Sequence, residues 1–223
     1  MNGTAVIDGK TVSFEAGKSM KNVGTVPSIV LDNPKYGRNV SQIIRLASGY
    51  GFKQVWYTGK RVSLTDPSQN IDGMAGKKGK KGKNKARLPR EERMKGYKKV
   101  EIRQHDRPFD FFNRGVVPIA IELREGAQML HNFEHPENAV YVFGPEDGSV
   151  NSELLRQCHH LLVIPVEHCL NLATAASTVL WDRQRQMIER GIVEDRSLDD
   201  LMRGDRAGLR DYEKEDMVFN GRK

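Results

Sequence analysis

Short apolar runs separated by turn residues dominate the pattern of hydrophobic and polar positions along this chain. Continuous apolar runs of four to eight residues are typical of strands that are buried on both faces of a parallel sheet. Such runs predict strands at 28–31, 54–57, 116–123, 139–143 and 161–164, and a further strand is predicted at 100–103. Clusters of glycine, proline, asparagine and aspartate, as at 32–34 and 144–148, predict the turns that end two of them.

The segment between the first two predicted strands has the apolar spacing of a helix. Within 40–47, apolar residues recur at positions i, i+3, i+4 and i+7, which predicts a helix from Asn39 that ends at Gly49 and Gly51. Further helices are predicted at 90–97, 109–112, 126–130, 151–158 and from Cys169 to about Met187. Strands that alternate with helices favour an α/β fold with a mostly parallel sheet and helices on both faces.

The distribution of polar residues divides the chain into four regions. Residues 1–26 are weakly patterned and are predicted to form an N-terminal arm or a short hairpin, ahead of a main domain over 27–190. A lysine- and glycine-rich insertion at about 60–89 interrupts that domain and is predicted to be flexible, because it has almost nothing to bury. Residues 191–223 are predicted to form a highly charged C-terminal extension.

The basic character of the chain comes from this insertion. The chain has 36 lysine and arginine residues against 29 acidic ones, a net charge of +7. A stretch with no acidic residue contributes Lys77, Lys78, Lys80, Lys81, Lys83, Lys85, Arg87 and Arg90. A local polycation attracts phosphates without regard to base sequence, so the residues from Lys77 to Arg87 are candidates for binding RNA. The alternative is a segment that only improves solubility.

Other features of the composition point to the cytoplasm. The two cysteines, Cys158 and Cys169, imply no disulfide framework, which is typical of a reducing compartment. No apolar run suggests a membrane span or a signal peptide. The histidines have no spacing typical of a zinc site, so no metal is expected.

Three separate motifs carry the most specific information. The first is Asn39-Val40-Ser41-Gln42-Ile43-Ile44-Arg45, the second is Phe143-Gly144-Pro145-Glu146-Asp147, and the third runs from Ile164-Pro165-Val166 to Cys169-Leu170-Asn171-Leu172. Each has an ordinary interpretation. Asn39 could cap a helix, Arg45 could be a solvated flank, and the second motif could be an acidic surface turn.

Together, the order and spacing of these motifs resemble the SpoU/TrmH branch of the SPOUT RNA methyltransferases. The resemblance covers most of 28–185. It implies transfer of a methyl group from S-adenosylmethionine to a ribose 2′-hydroxyl of tRNA or rRNA. It also implies a deep trefoil knot near the C-terminus, an exception to the general absence of knots.

The resemblance assigns roles to particular residues. Arg45, Asn39, Glu146 and Asn171 match the catalytic and acceptor-side positions. The members of the family hold S-adenosylmethionine largely with backbone groups of the second and third motifs, and the matching positions here are Phe143, Gly144, Ile164, Val166, Cys169 and Leu170. Two positions differ from the family pattern. Ser149 stands where relatives have glycine, and Cys169 stands where they usually have serine.

The family resemblance further implies a homodimer, with Leu172 and Val179 expected to contribute to its interface. The aromatic residues Phe109, Phe111 and Phe112 could stack on RNA bases, or they could belong to the core or to a dimer interface. Two other functions stay open. The protein could be a non-catalytic RNA-binding homologue, for which the Cys169 and Ser149 departures are the support. It could instead methylate a base nitrogen, although the pairing of Asn39 with Arg45 favours ribose modification.

Overall fold

The architecture is a single sheet with helices packed on it. The structure, a computed structural model, describes residues 2–7, 10–15, 24–62 and 99–202. Its strands are β1 (Asn2–Ile7), β2 (Lys10–Glu15), β3 (Ser28–Leu31), β4 (Gln54–Tyr57), β5 (Glu101–Gln104), β6 (Val117–Ile121), β7 (Gln128–Met129), β8 (Ala139–Phe143) and β9 (His160–Val163). Its helices are α1 (Gly37–Gly49), α2 (Ser152–Leu155), α3 (Leu172–Glu189) and α4 (Leu198–Met202).

The sheet is mostly parallel, as predicted. Within the described residues the strand order is β2-β1-β5-β4-β3-β8-β6-β9-β7, and every pair from β5 to β7 is parallel. The hairpin of β1 and β2 adds an antiparallel edge through the pairing of β1 with β5. In the centre of the sheet, Val30 of β3 is aligned with Trp56 of β4 on one side and Val142 of β8 on the other.

Helices cover both faces of this sheet, which explains why the central strands are continuously apolar. On one face, Ile29 and Tyr141 belong to a core that also includes the apolar stripe of α1 and residues of α3. On the other face, Val30 and Val142 belong to a core with α2 and a 3₁₀ turn at Pro108–Phe111. Strands β3, β4 and β8 are buried at every position. Burial on both sides is the usual environment of parallel strands.

The aromatic residues of the 3₁₀ turn belong to the core. The rings of Phe111 and Phe112 lie 5.3 and 5.6 Å from that of Trp56, and both side chains are buried. The structure therefore supports the interpretation that Phe111 and Phe112 belong to the core.

Two local predictions and one alternative interpretation were wrong. Residues 126–130 do not form a helix, because Gln128–Met129 pair in parallel with β9 after Gly126, whose φ is +83°. Asn39 does not cap α1, which begins at Gly37 with Tyr36 in the capping position. Leu172 and Val179 cannot contribute to a dimer interface, because both are buried in the core of their own chain.

A buried histidine connects β8 to α3. His135 Nε2 lies 3.1 Å from Asp182 Oδ2, and His135 Nδ1 lies 2.7 Å from the Tyr141 hydroxyl. Burial lowers the pKa of His135 to about 4, although its contact with Asp182 opposes the shift. The backbone N–H of His135 also donates to the side chain of Gln186 on α3. The neutral imidazole is therefore part of the packing between the sheet and this helix.

The chain divides into two compact units, Met1–Gln186 and Met187–Lys223. In the second unit, the Ser197 hydroxyl accepts the backbone N–H of Asp200 at the start of α4. None of the helices in the described ranges has the length and apolar character that crossing a membrane requires. The predicted knot is not tested by the strand order and stays a prediction.

Candidate functional site

The three motifs meet at one edge of the sheet. Strands β3, β8, β6 and β9 are neighbours and run parallel, so their carboxyl ends lie side by side. Ligands of open α/β sheets bind outside the carboxyl ends of the strands. The loops that follow β3, β8 and β9 contain or lead into the three motifs. The fold therefore gathers segments that are more than a hundred residues apart in the chain.

A cavity of about 300 Å³ opens at this edge. The loops after β6, β8 and β9 and the start of α3 form its walls. All the predicted cofactor-binding residues line it, namely Phe143, Gly144, Ile164, Val166, Cys169 and Leu170. The other apolar lining residues include Ile121, Leu162 and Leu172. The cavity thus combines apolar walls with loop backbone, as small-molecule sites usually do.

The shape of the loop after β8 depends on glycine at position 144. A Cβ atom there would lie 3.0 Å from the backbone nitrogen of Val150 and 3.3 Å from the carbonyl carbon of Ser149. Glycine lets these two backbone segments approach one another. Among the described residues, Asn33 is the one non-glycine residue with positive φ. Ser149 therefore occupies the position of the family glycine without backbone strain.

Three of the four predicted catalytic residues form one hydrogen-bonded chain beside the cavity. Asn39 Nδ2 donates to Glu146 Oε1 at 2.6 Å, and Asn171 Nδ2 donates to Asn39 Oδ1 at 3.1 Å. This network joins α1, the loop after β8 and the start of α3. Asn39 is buried, so its amide needs both partners.

Backbone groups fix both ends of this network. Glu146 also accepts the backbone N–H groups of Lys35 at 2.7 Å and Tyr36 at 3.3 Å. Asn171 Oδ1 accepts the backbone N–H of Ala173 at 2.9 Å, which caps the first turn of α3. The orientations of all three side chains are therefore determined by their partners, and the loops that carry them are held together.

The structure does not bring the fourth predicted residue, Arg45, to the cavity. Arg45 lies on the exposed side of α1. It lines a second groove, between α1 and the first turns of α3, with Gln42, Leu46, Gly49, Tyr50, Ala173, Thr174 and Ser177. This groove adjoins the network through α3, because Ala173 follows Asn171 by two residues.

Sequence reasoning missed Asp32, which organises the same edge. Its side chain is buried; Oδ1 accepts the Thr58 hydroxyl and Oδ2 accepts the backbone N–H of Asn151, both at 2.6 Å. The carboxylate thus connects the ends of β3 and β4 to the start of α2. Asp32 lies in a predicted turn, and its partners are distant in sequence, so no local pattern marks it.

Asp147 makes a second connection between the loops. Arg61 donates to both of its carboxylate oxygens, at 2.9 and 2.7 Å, and Lys35 Nζ lies 3.2 Å from Oδ2. Hydrogen bonds from Arg61 and then Lys35 hold the pKa of the Asp147 carboxyl well below its usual range. All three side chains are at least one third exposed, so we expect a modest contribution to stability.

The predicted RNA-binding residues lie outside the described residues. These are Lys77, Lys78, Lys80, Lys81, Lys83, Lys85 and Arg87. The prediction that they bind RNA therefore rests on their sequence alone.

Comparisons with known proteins point to one family. The family model of the SpoU rRNA Methylase family matches residues 90–181. A tRNA (guanosine(18)-2′-O)-methyltransferase from Thermus thermophilus is 28% identical over 110 residues, which cover 46% of this chain and 57% of that enzyme. The enzyme of the same name from Aquifex aeolicus is 25% identical over 177 residues, which cover 76% of this chain and 74% of the relative.

Solved structures share the fold. A TrmH/SpoU tRNA modifying enzyme from A. aeolicus superposes with a TM-score of 0.57 at 21% identity, covering 82% of this chain and 87% of that one. The SpoU methyltransferase AviRb from Streptomyces viridochromogenes, solved with AdoMet, has a TM-score of 0.57 at 16% identity, covering 73% and 60%. The chain is therefore similar in sequence to the SpoU rRNA Methylase family and to tRNA 2′-O-methyltransferases, and it shares the fold of the solved SpoU/TrmH enzymes.

Proposed function

We propose that this protein transfers a methyl group from S-adenosylmethionine to a ribose 2′-hydroxyl of RNA. The observation that carries the proposal is the Asn39–Glu146–Asn171 network beside a cavity lined by all the predicted cofactor-binding residues. The names of the relatives support the reaction class. The aligned part spans 57% of the T. thermophilus enzyme.

The lining of the cavity fits the proposed cofactor. An adenosine needs burial of its flat surface and hydrogen bonds at its edge, which apolar walls and loop backbone supply. The cofactor would provide an activated methyl group for an in-line displacement, which requires alignment and removal of a proton from the acceptor. The loops after β8 and β9 would hold it through Phe143, Gly144, Ile164, Val166, Cys169 and Leu170.

On the acceptor side, Asn39, Glu146 and Asn171 would fix the geometry of the site. Their side chains are already oriented by mutual hydrogen bonds, so ordering them costs little when substrate binds. Arg45 would bind the phosphate of the acceptor nucleotide and stabilise the developing alkoxide. A guanidinium is always protonated at neutral pH, so we assign it this role and not that of a general base.

The placement of Arg45 in the groove, and not in the lining of the cavity, supports a homodimer with composite sites. Arg45 lies in the groove between α1 and α3, and on α3 the side chain of Trp181 is 58% exposed. Large exposed aromatic side chains are enriched in protein interfaces. We propose that a second copy covers this face and that Arg45 of the partner subunit completes the site of the first.

RNA is the proposed partner. Both reported sequence relatives are named for methylation of tRNA, and either tRNA or rRNA is a candidate substrate here. The segment from Lys77 to Arg87 would add sequence-independent attraction to phosphates, which weakens as salt concentration rises.

Methyl transfer to unmodified RNA tests the proposal. The protein would be incubated with S-adenosylmethionine carrying a tritiated methyl group, and label in precipitated RNA would be counted. We expect incorporation by the wild type and a loss of at least about a hundredfold in Arg45→Ala. Arg114→Ala, which removes an exposed arginine outside both the cavity and the groove, is the control.

The other outcomes separate the remaining functions. Binding of S-adenosylmethionine without incorporation into any RNA would favour a non-catalytic homologue. Incorporation that survives Arg45→Ala would contradict the proposed role of Arg45 and favour methylation of a base.

A further inference from the structure

Glu122 is a carboxylate in the cavity that the sequence motifs do not include. It directly follows β6, and its backbone N–H donates to Leu162 of β9 at 3.0 Å. Its Oε2 accepts the backbone N–H of Val150 at 2.9 Å, and Glu122 is one of the residues that line the cavity. The other oxygen, Oε1, accepts no hydrogen bond from the part of the chain that the structure describes. The side chain is therefore held in place with one oxygen available to a ligand.

Among the lysine, arginine and acidic residues of the described ranges, the cavity lining contains acidic residues alone. Glu122, Glu146 and Glu167 are lining residues, whereas no lysine or arginine of the described ranges is among them. Glu146 already accepts three N–H groups, and Glu167 is exposed to solvent. Glu122 is half-buried. It is thus the carboxylate of this cavity that combines partial burial with an oxygen that no described donor occupies.

A carboxylate in this position favours a positively charged ligand. Apolar walls reduce the screening of charge by water, so an anion there attracts a cation more strongly than it would in bulk solvent. S-adenosylmethionine carries two cations, the sulfonium and the α-ammonium. We infer that Glu122 binds a cationic group of the cofactor and sets the selectivity of the pocket for it; this inference rests on the proposed function.

Calorimetric titration with three ligands tests the inference and identifies the cation. S-adenosylmethionine has both charges, S-adenosylhomocysteine lacks the sulfonium charge, and 5′-methylthioadenosine lacks both. The variant is Glu122→Gln, because glutamine keeps an oxygen for the Val150 N–H while removing the charge. Glu125→Gln is the matched control, since Glu125 is an exposed carboxylate on the same loop outside the cavity lining.

We expect Glu122→Gln to weaken the binding of S-adenosylmethionine on the order of tenfold, because a charge-assisted contact is lost. If S-adenosylhomocysteine keeps its affinity, the sulfonium is the partner. If the binding of S-adenosylmethionine and S-adenosylhomocysteine weakens equally while that of 5′-methylthioadenosine is unchanged, the α-ammonium is the partner. No change, or an equal change for all three ligands, would overturn the inference and leave the proposed function standing. Failure of the wild type to bind S-adenosylmethionine would overturn both.

Discussion

At the scale of single residues, Gly144 determines whether the cofactor loop can form. A Cβ atom at this position would lie 3.0 Å from the backbone nitrogen of Val150, which cannot move without displacing the loop. We therefore expect Gly144→Ala to weaken binding of S-adenosylmethionine on the order of tenfold or more, measured by calorimetry.

Gly148→Ala is the matched control for this substitution. Gly148 belongs to the same loop, but a Cβ atom there would meet its nearest neighbour, Pro145 Cγ, at 3.6 Å, an ordinary contact distance. The affinity of Gly148→Ala should remain close to that of the wild type. Equal affinities for the two alanine variants would contradict this account of the loop.

The two cysteines provide a chemical test of where the cofactor binds. Cys169 is exposed and lines the cavity, whereas burial raises the pKa of Cys158 to about 12 and keeps its thiol protonated. Iodoacetamide should therefore alkylate Cys169 and spare Cys158. S-adenosylmethionine at ten times its Kd should slow the labelling about tenfold, because binding excludes the reagent.

Peptide mass spectrometry would locate and time this alkylation. Cys169→Ser should take up almost no label, which shows that the signal comes from one site. A labelling rate at Cys169 that does not respond to S-adenosylmethionine would place the cofactor elsewhere.

The family resemblance identifies residues that lie within the three motifs, and it misses residues outside them whose partners are distant backbone groups. Asn39, Glu146 and Asn171 were identified from three short motifs, and the structure joins them. Asp32 and Glu122 were not identified. Asp32 accepts a backbone N–H from a residue 119 positions away, and a single sequence carries no record of which distant amide approaches a given carboxylate.

At the scale of elements, burial explains which predictions succeeded. Strands β3, β4 and β8 are buried on both faces, so their sequences are continuously apolar and easy to assign. Helix α1 has a strong apolar stripe for the same reason. By contrast, β7 has two exposed residues and exists through its pairing with β9. Such a strand leaves no periodic pattern, so residues 126–130 were assigned wrongly to a helix.

The packing of α3 on the sheet should depend on pH through His135. Its folded pKa of about 4 is below the usual value of 6.5, so the unfolded chain binds the proton more readily. This contribution to stability is complete above pH 6.5 and is lost as the pH falls towards 4. The loss should amount to roughly 3 kcal/mol at most.

Urea denaturation at several pH values would measure this effect. Carboxylates titrate in the same pH range, so the wild type is compared with His135→Gln. The free energy of unfolding should fall less steeply in His135→Gln as the pH is lowered from 6.5 to 4. His131→Gln, which removes an exposed histidine, should keep the pH dependence of the wild type. If the free energy of unfolding depends on pH identically in the wild type and His135→Gln, His135 is not the titrating group.

At the scale of the whole molecule, the arrangement of the site predicts that two chains share it. Arg45 lines the groove between α1 and α3, whereas Glu146 of the Asn39–Glu146–Asn171 network lines the cavity. If Arg45 of the partner subunit completes the site, Arg45→Ala and Asn171→Ala should complement one another. A mixed dimer of these two inactive variants contains one site with both defects and one site with none.

Activity after mixing tests this proposal. The two variants would be co-expressed with different affinity tags, and the doubly tagged species would be isolated. A mixed dimer should recover roughly half of the wild-type activity. A mixture as inactive as its parents would show that Arg45 acts on the site of its own chain, and a monomer in sedimentation analysis would contradict the dimer itself.

The measurement that tests the central claim most directly is the position of the transferred methyl group. Unmodified RNA would be treated with the protein and S-adenosylmethionine carrying a deuterated methyl group, digested to nucleosides and analysed by fragment mass spectrometry. The account predicts a deuterated methyl group on the ribose of one nucleoside, absent when Asn39→Ala replaces the wild type. A label on the base, or no label from a protein that binds S-adenosylmethionine, would contradict it.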